Sequence, residues 1–144
     1  MKIKVLLLLT LLISSTISCS QNSKEKPNLP KEYQDLLLKV EALKTSMISY
    51  METAGPDYTE QDVDKCVEIL NEYIEKMVKT KSKQDGLNIV KSTVLELNKL
   101  NKKCGEQLIE TGEREQIAEI IILTGHKKGY NSIDEDITEE WREW

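Results

Sequence analysis

The sequence has little of the material from which most catalytic and metal sites are built. It contains one histidine, His126, and three cysteines among 144 residues. Zinc sites and acid–base catalysis most often use several such side chains, so these counts exclude most templates of both kinds. The chain also lacks a glycine-rich phosphate loop, a nucleophile elbow and an HExxH pattern. We therefore expect no enzymatic activity, no metal and no cofactor.

Aromatic residues are also scarce, with no phenylalanine, two tryptophans and five tyrosines. The core must therefore consist of leucine, isoleucine, valine and methionine, which pack readily between helices. Hydrophobic residues make up 39% of the chain and charged residues 31%, a balance typical of a soluble folded domain. The length allows one domain.

Net positive charge is absent as well. The formal net charge is −5, and loss of residues 1–18 would leave 18 basic and 25 acidic residues, a net charge of −7. Nucleic acids and anionic lipid head groups both require clustered lysine or arginine, so this balance argues against them as partners. It suits a basic protein partner, or none.

The N-terminus has the features of a bacterial export signal. A short cationic start precedes an apolar run at residues 5–13, which as a helix would rise only about 14 Å, half a hydrocarbon core. This length favours a signal peptide over a membrane span. Ser18 before Cys19 resembles the lipobox of bacterial lipoproteins, in which the cysteine is acylated and becomes the new N-terminus. Thr16 departs from that pattern, so a plain secretory signal cut near Ser18 is the alternative.

These features divide the chain into three parts. We expect a lipoprotein signal peptide at residues 1–18, the lipidated Cys19 with a polar tether to residue 30, and a helical domain at residues 31–144. The tether contains two of the three prolines and spans at most roughly 35 Å. Acyl chains on Cys19 would anchor the protein to a bacterial membrane, with the domain outside the cytoplasm.

The domain itself shows helical rather than strand periodicity. From residue 31 onward, apolar residues recur about every 3.6 positions. Local signals end the first helix at Gly55-Pro56, start the later helices after Thr59, Ser82 and Thr111, and close the last at Gly129. Ile133, Ile137, Trp141 and Trp144 are spaced as on a further short helix. The sequence therefore predicts an all-α, four-helix bundle-like domain with a short docked C-terminal helix.

The most specific sequence pieces lie in the C-terminal half. They are LIET at residues 108–111, ERE at 113–115 and DITEEWREW at 136–144. Over residues 83–144 the chain resembles a family of small bacterial helical proteins with this ending. The resemblance implies a shared helical fold; it implies no activity and transfers no site residue.

Cys66 and Cys104 both fall on apolar stripes. Export would place them where disulfides persist, and a bond between them would join the second and third helices. The interpretation we favour is two buried free thiols acting as small hydrophobic side chains.

The other groups of polar residues have a purely structural interpretation and a functional one. His126 fits a surface position near a helix end better than a metal site. Five acidic residues could attract calcium, but the spacing and glycine of an EF-hand are missing, so we favour solvated acids at a helix start. These residues are Asp134, Glu135, Asp136, Glu139 and Glu140.

Two clusters are candidates for interaction. Glu113, Arg114 and Glu115 could serve acid–base chemistry only within a pocket, and we instead expect Arg114 to form ion pairs between the third connection and the tail. Tryptophan and arginine dominate interface hot spots, so the tail could anchor a partner, although packing over the bundle is the commoner role. The tail residues concerned are Trp141, Arg142 and Trp144.

The function that the sequence predicts is a membrane-anchored lipoprotein whose acidic helical domain binds another envelope protein, one of basic character. A specific version is an inhibitor or immunity-type protein that neutralises a basic toxin or hydrolase. Two alternatives stay open: an enzyme that uses carboxylates alone, and a purely structural envelope lipoprotein.

Overall fold

Four helices form most of the part of the chain that this computed structural model describes, residues 29–144. They are α1 (Gln34–Ala54), α2 (Glu60–Lys79), α3 (Lys83–Lys103) and α4 (Thr111–Lys127), and a 3-10 turn (Lys31–Tyr33) precedes α1. No strand occurs in these residues, so the all-α prediction is confirmed. The predicted signal peptide, Cys19 and all but the end of the tether lie outside the described residues.

Side-chain caps set the starts of α2 and α3, as the sequence indicates. The Thr59 hydroxyl accepts from the backbone N–H of Asp62, and the Asp62 carboxylate accepts from the N–H of Thr59, which completes a capping box. Ser82 caps α3 through its hydroxyl alone, which accepts from the backbone N–H of Asp85. The expectation for α4 was wrong by one residue, because Glu110 is the cap and Thr111 is the first helical residue.

α2 lies at the centre of the bundle. It contacts α1, α3 and α4, and α1 also packs against α4. The core is aliphatic, and the Tyr73 hydroxyl within it donates to the Ile121 carbonyl at 2.9 Å. The large, fully buried aliphatic side chains are Leu36, Leu43, Met47, Leu70, Ile74, Met77, Leu97, Leu108, Ile117, Ile120 and Ile121.

Successive helices run antiparallel, so the bundle has two ends. We call the end where residue 29 enters the proximal end; it contains the start of α1, the α2–α3 connection and the end of α4. The Lys127–Asp35 ion pair (3.1 Å) joins α4 to α1 there, and Lys128 donates to the Thr80 carbonyl (3.0 Å). The distal end contains the α1–α2 connection, the end of α3 and the start of α4.

The C-terminal segment docks as predicted through Ile137, Trp141 and Trp144. Ile133, expected beside them, is 47% exposed, and the segment is not a regular helix. One turn is closed by the N–H of Glu135, which donates to the Ser132 carbonyl, and a second by the N–H groups of Trp141 and Arg142, which both donate to the Thr138 carbonyl. The Asn98 side chain on α3 hydrogen-bonds the backbone that follows this turn. Its amide donates to the Trp141 carbonyl (2.8 Å), and its oxygen accepts from the N–H of Glu143 (3.3 Å). A continuing helix would need that N–H for its own ladder, so docking on Asn98 replaces the expected C-terminal helix.

Two helical glycines make room for this segment. A Cβ at Gly86 of α3 would lie 2.5 Å from the Tyr130 ring, and a Cβ at Gly125 of α4 would collide with the Asn131 amide and lie 3.0 Å from Ile137. The chain after α4 therefore packs directly on helix backbone at both places.

Candidate functional site

The distal end carries six glutamates with no ion-pair partner among the described residues. Two lie beside the α1–α2 connection, and four lie in the α3–α4 connection and the first turns of α4. All are exposed except Glu113, which is half-buried. We call this set the distal glutamate cluster: Glu52, Glu60, Glu106, Glu110, Glu113 and Glu115.

A side-chain clasp holds the two connections of this end together. Gln107 accepts from the N–H of Asp57 (3.1 Å) and donates to its carboxylate (3.3 Å). Tyr58, the residue after Asp57, is buried, and its hydroxyl donates to the Met47 carbonyl (3.4 Å). Burial raises the pKa of Tyr58 to about 12, and the negative charges of Glu113 and Glu110 add to the rise. Those glutamates therefore lie close to the α1–α2 connection.

Most cations near the cluster are already paired. Lys103 donates to Asp62 at 2.8 Å, and Lys102 donates to Glu143 at 2.5 Å. Arg114 has only a long hydrogen bond to the Thr111 hydroxyl (3.5 Å) and no ion pair in the described part of the chain, so the ion pairs we expected from it are not found. Negative charge therefore dominates this end.

Asp62 differs from the exposed glutamates because it is buried and fully bonded. The Lys103 ammonium, and then the Thr59 hydroxyl and N–H, hydrogen-bond its carboxylate and lower its pKa to about 2. The capping role is visible in the sequence at Thr59, whereas the partner Lys103 is visible only once α2 and α3 are placed side by side. The bonded Asp62 acts as a clamp between the two helices.

A shallow depression of about 500 Å³ borders the cluster on the outside of α1. Glu52 and Glu60 contribute to it, together with Lys44, whose ammonium is bonded to Asp64 (2.6 Å). Its lining is mostly exposed side chains, so it offers a surface for contact rather than an enclosed reaction chamber.

The two predicted interaction clusters lie on different elements and are not bonded to each other. Glu113, Arg114 and Glu115 begin α4 at the distal end. Trp141 and Trp144 are partly buried against the core, and Lys91 and Arg142 lie over their respective rings at 5.9 and 5.5 Å. The ring of Trp144 buries its N–H without a hydrogen-bond partner among the described residues. The tail tryptophans thus contribute to packing.

Sequence reasoning recognised only part of these polar features. Asn98 and Asn101 are buried, and Asn101 accepts from the Ile109 N–H (2.9 Å). Asn88, on the same helix, is exposed. Glu52, Glu60 and Glu106 were missed because each stands alone in the sequence, and only the antiparallel arrangement brings them to one end.

Cys66 and Cys104 are free thiols in the structure, and both are buried. The Asp62–Lys103 pair sets the register of α2 against α3, so the level opposite Cys66 lies near Lys99. Cys104 lies five residues further, about 7.5 Å along the helix axis. A disulfide tolerates roughly 4–7 Å between Cα atoms, so this offset separates the two cysteines too far for a bond. Burial, and then the nearby Cys104, raises the pKa of Cys66 to about 12.

The remaining candidates serve local structure. His126 is exposed, with its ring Nδ1 3.0 Å from the Asn131 carbonyl. Asp136 accepts from the N–H and hydroxyl of Thr138 and from Arg142. Burial raises its pKa, but these bonds outweigh that effect and leave the pKa below its usual value. Within residues 29–144, no group of three or more histidine, cysteine or acidic side chains could hold a metal ion.

Comparisons with protein-family models, with curated proteins and with solved structures found no match to this chain. The resemblance carried by the DITEEWREW ending therefore stays a prediction. None of the helices in the described part is long and apolar enough to cross a bilayer.

Proposed function

We propose that this protein is a membrane-anchored lipoprotein whose acidic helical domain binds a basic protein of the cell envelope. The observation that carries the proposal is the distal glutamate cluster, which lies at the opposite end of the bundle from the point where the tether enters. A protein held at one end presents the other end to its surroundings. An inhibitor or immunity-type protein that neutralises a basic toxin or hydrolase is the version we prefer.

The charge arrangement supports this partner class. Unpaired carboxylates keep their attraction for an incoming cation, whereas paired ones have already used it. Exposed charges of this kind mainly speed association and select the partner, while buried contacts set the lifetime of the complex. The exposed residues Glu106, Glu110 and Glu115 would therefore steer a basic partner. Tyr50, about one turn before the distal end of α1, is 40% exposed.

Site-directed photo-crosslinking tests the proposal in the native membrane. A photoreactive residue is placed at Glu106 or Glu115 on the distal end, and at Ser92, exposed on α3, as the control. We expect the two distal positions to give an adduct with one basic protein and Ser92 to give none. Identical adducts from all three positions, or none from any, would contradict the proposal.

Charge reversal provides an independent test. The double variant Glu106→Lys and Glu110→Lys should reduce recovery of the partner at least about tenfold at low salt, because opposing charges slow association. The matched control reverses Glu139 and Glu140, which are exposed on the tail. Equal loss in both variants would indicate a general charge effect and would refute a distal binding site.

A further inference from the structure

The depression on the outside of α1 brings one apolar side chain together with several acidic ones. Ile48 lines it, half-buried and packed against the core. Thr45 and Ser49 lie beside Ile48 and are exposed, and their short side chains leave room for another chain to approach α1 closely. The glutamates that line the depression are Glu41, Glu52 and Glu60. The depression therefore offers an apolar contact with negative charge around it.

Negative charge prevails in the depression. Among the described residues, Lys44 is the only cation that lines it, and its ammonium already donates to Asp64 of α2 (2.6 Å). That hydrogen bond raises the pKa of Lys44, against the effect of partial burial, and the negative charges of Glu41 and Glu60 add to the rise. Glu52 and Glu60 have no ion pair within residues 29–144, so their carboxylates can attract the cations of another molecule.

The same face of α1 continues beyond the depression to Leu38. Successive residues of this face are three or four positions apart, so they follow one another along the helix; they are Leu38, Glu41, Thr45, Ile48 and Glu52. Leu38 is 71% exposed and lies about 15 Å from Ile48 along the helix axis. A row of contacts with this spacing is what a second helix meets when it packs along the first.

We propose that a basic amphipathic helix of the envelope partner packs along this face of α1 and fills the depression. The inference rests on the proposed function and adds to it the site of lasting contact. Apolar residues of the partner helix contact Leu38 and Ile48, and lysine or arginine residues beside them pair with Glu52 and Glu60. About four turns of helix cover the face from Leu38 to Glu52.

This arrangement divides the work of binding between two parts of the surface. Exposed glutamates of the α3–α4 connection, such as Glu106 and Glu110, speed association, whereas the packed contact on α1 sets the lifetime of the complex. Substitutions in the two places should therefore change different rate constants.

Site-directed photo-crosslinking of the full-length protein in its native membrane tests the contact. A photoreactive residue replaces Leu38 or Ser49 on α1, and Leu95, which is 38% exposed on α3, provides the matched control. We expect the two α1 positions to give an adduct with the basic protein that Glu106 captures, and Leu95 to give none. The partner peptide in the adduct should be rich in lysine or arginine, with apolar residues every three or four positions.

A variant that fills the depression separates lifetime from association. Thr45→Trp adds a bulky ring at an exposed position, so the partner helix can no longer pack closely. Dissociation of the purified partner from this variant should be at least about tenfold faster, with the association rate little changed. Ser92→Trp, exposed on α3, is the matched control, and the melting temperatures of both variants verify folding.

Each result decides a separate point. Adducts from Glu106 or Glu115 with none from Leu38 and Ser49 would overturn the packed helix and leave the proposed function standing. No adduct from any position would overturn both. A partner peptide without an excess of lysine and arginine, a second copy of this chain in the adduct, or equal dissociation from the two tryptophan variants would each overturn the basic helix.

Discussion

At the scale of single residues, Asp62 is the described carboxylate whose pKa is lowered most. Its pKa of about 2 lies below the usual value near 3.9 for an unfolded chain. A lowered folded-state pKa stabilises the protein above the unfolded value, and this stability is lost as the pH falls from about 5 to 2. Because Lys103 is 72% exposed and screened by solvent, we expect Asp62→Asn to cost about 1 kcal/mol at pH 7.

Urea unfolding of this variant and the parent at several pH values checks the prediction. The two proteins should converge in stability toward pH 2, since the parent then loses the same interaction. Asp64→Asn is the matched control, because Asp64 is an exposed partner of Lys44 and should change stability by less than about 0.5 kcal/mol. If the difference in the free energy of unfolding between Asp62→Asn and the parent stayed constant with pH, the stabilising role of the ionised Asp62 carboxylate would be contradicted.

The two thiols give a second prediction at this scale. Burial of Cys66 disfavours the thiolate that reacts with alkylating agents, and its pKa of about 12 reflects this. Without reductant, the purified protein should accept two alkyl groups at Cys66 and Cys104 after denaturation. In the native protein at pH 8, Cys66 should react at least about 100-fold more slowly than a solvent-exposed cysteine, because its thiolate fraction is so small. Denatured protein that takes up neither group would instead establish the disulfide.

At the scale of elements, the glycines beneath the C-terminal segment provide a sharp comparison. Gly125→Ala would push a methyl group into Asn131, which is buried and bonded to the carbonyls of Ile122 and Ser132. We expect it to lower the free energy of unfolding by about 1–3 kcal/mol. Gly112→Ala, also within α4 but with open space around its Cβ, should instead stabilise by up to about 1 kcal/mol. Thermal unfolding of the two variants measures the contrast, and losses of equal size would contradict the close packing.

Docking of the tail depends on one side chain of α3. Asn98→Ala removes both hydrogen bonds to the backbone of Trp141 and Glu143 and should cost about 1–3 kcal/mol. Tryptophan emission should shift to the red, because the rings of Trp141 and Trp144 would then be more exposed to water. Asn88→Ala, on the exposed face of the same helix, should leave the emission unchanged; a similar shift in both variants would argue against local docking.

The elements also show what a sequence can and cannot predict. The capping signals at Thr59 and Ser82 act within four residues, so the starts of α2 and α3 were predictable from the chain alone. The tail had the spacing of a helix, yet Asn98, some 43 residues earlier, takes its backbone groups. Spacing reports which side chains face the core, but it does not report which distant side chain competes for the backbone.

At the scale of the whole molecule, the candidate site arises from topology. The helices cross the bundle in alternating directions, so residues 52, 60, 106 and 110 meet at one end and residues 31, 81 and 83 at the other. Net charge, read from composition, averages these two ends into a single acidic value. That average hides the unpaired carboxylates that the topology gathers at the distal end, where they can attract a basic partner.

The anchor itself is tested at Cys19, which lies outside the described residues. Several acyl chains hold a protein on a bilayer far more firmly than one chain, or than a few lysines, because each buried CH₂ contributes about 0.8 kcal/mol. Cys19→Ala, exported behind a plain secretory signal peptide in place of residues 1–18 so that the apolar segment is still removed, should therefore move the protein from the membrane fraction to the soluble fraction after a high-salt wash, with helical content unchanged. Ser20→Ala, the neighbouring substitution, should remain in the membrane fraction. Retention of Cys19→Ala after the salt wash would mean that a protein contact, rather than acylation, holds the domain at the envelope.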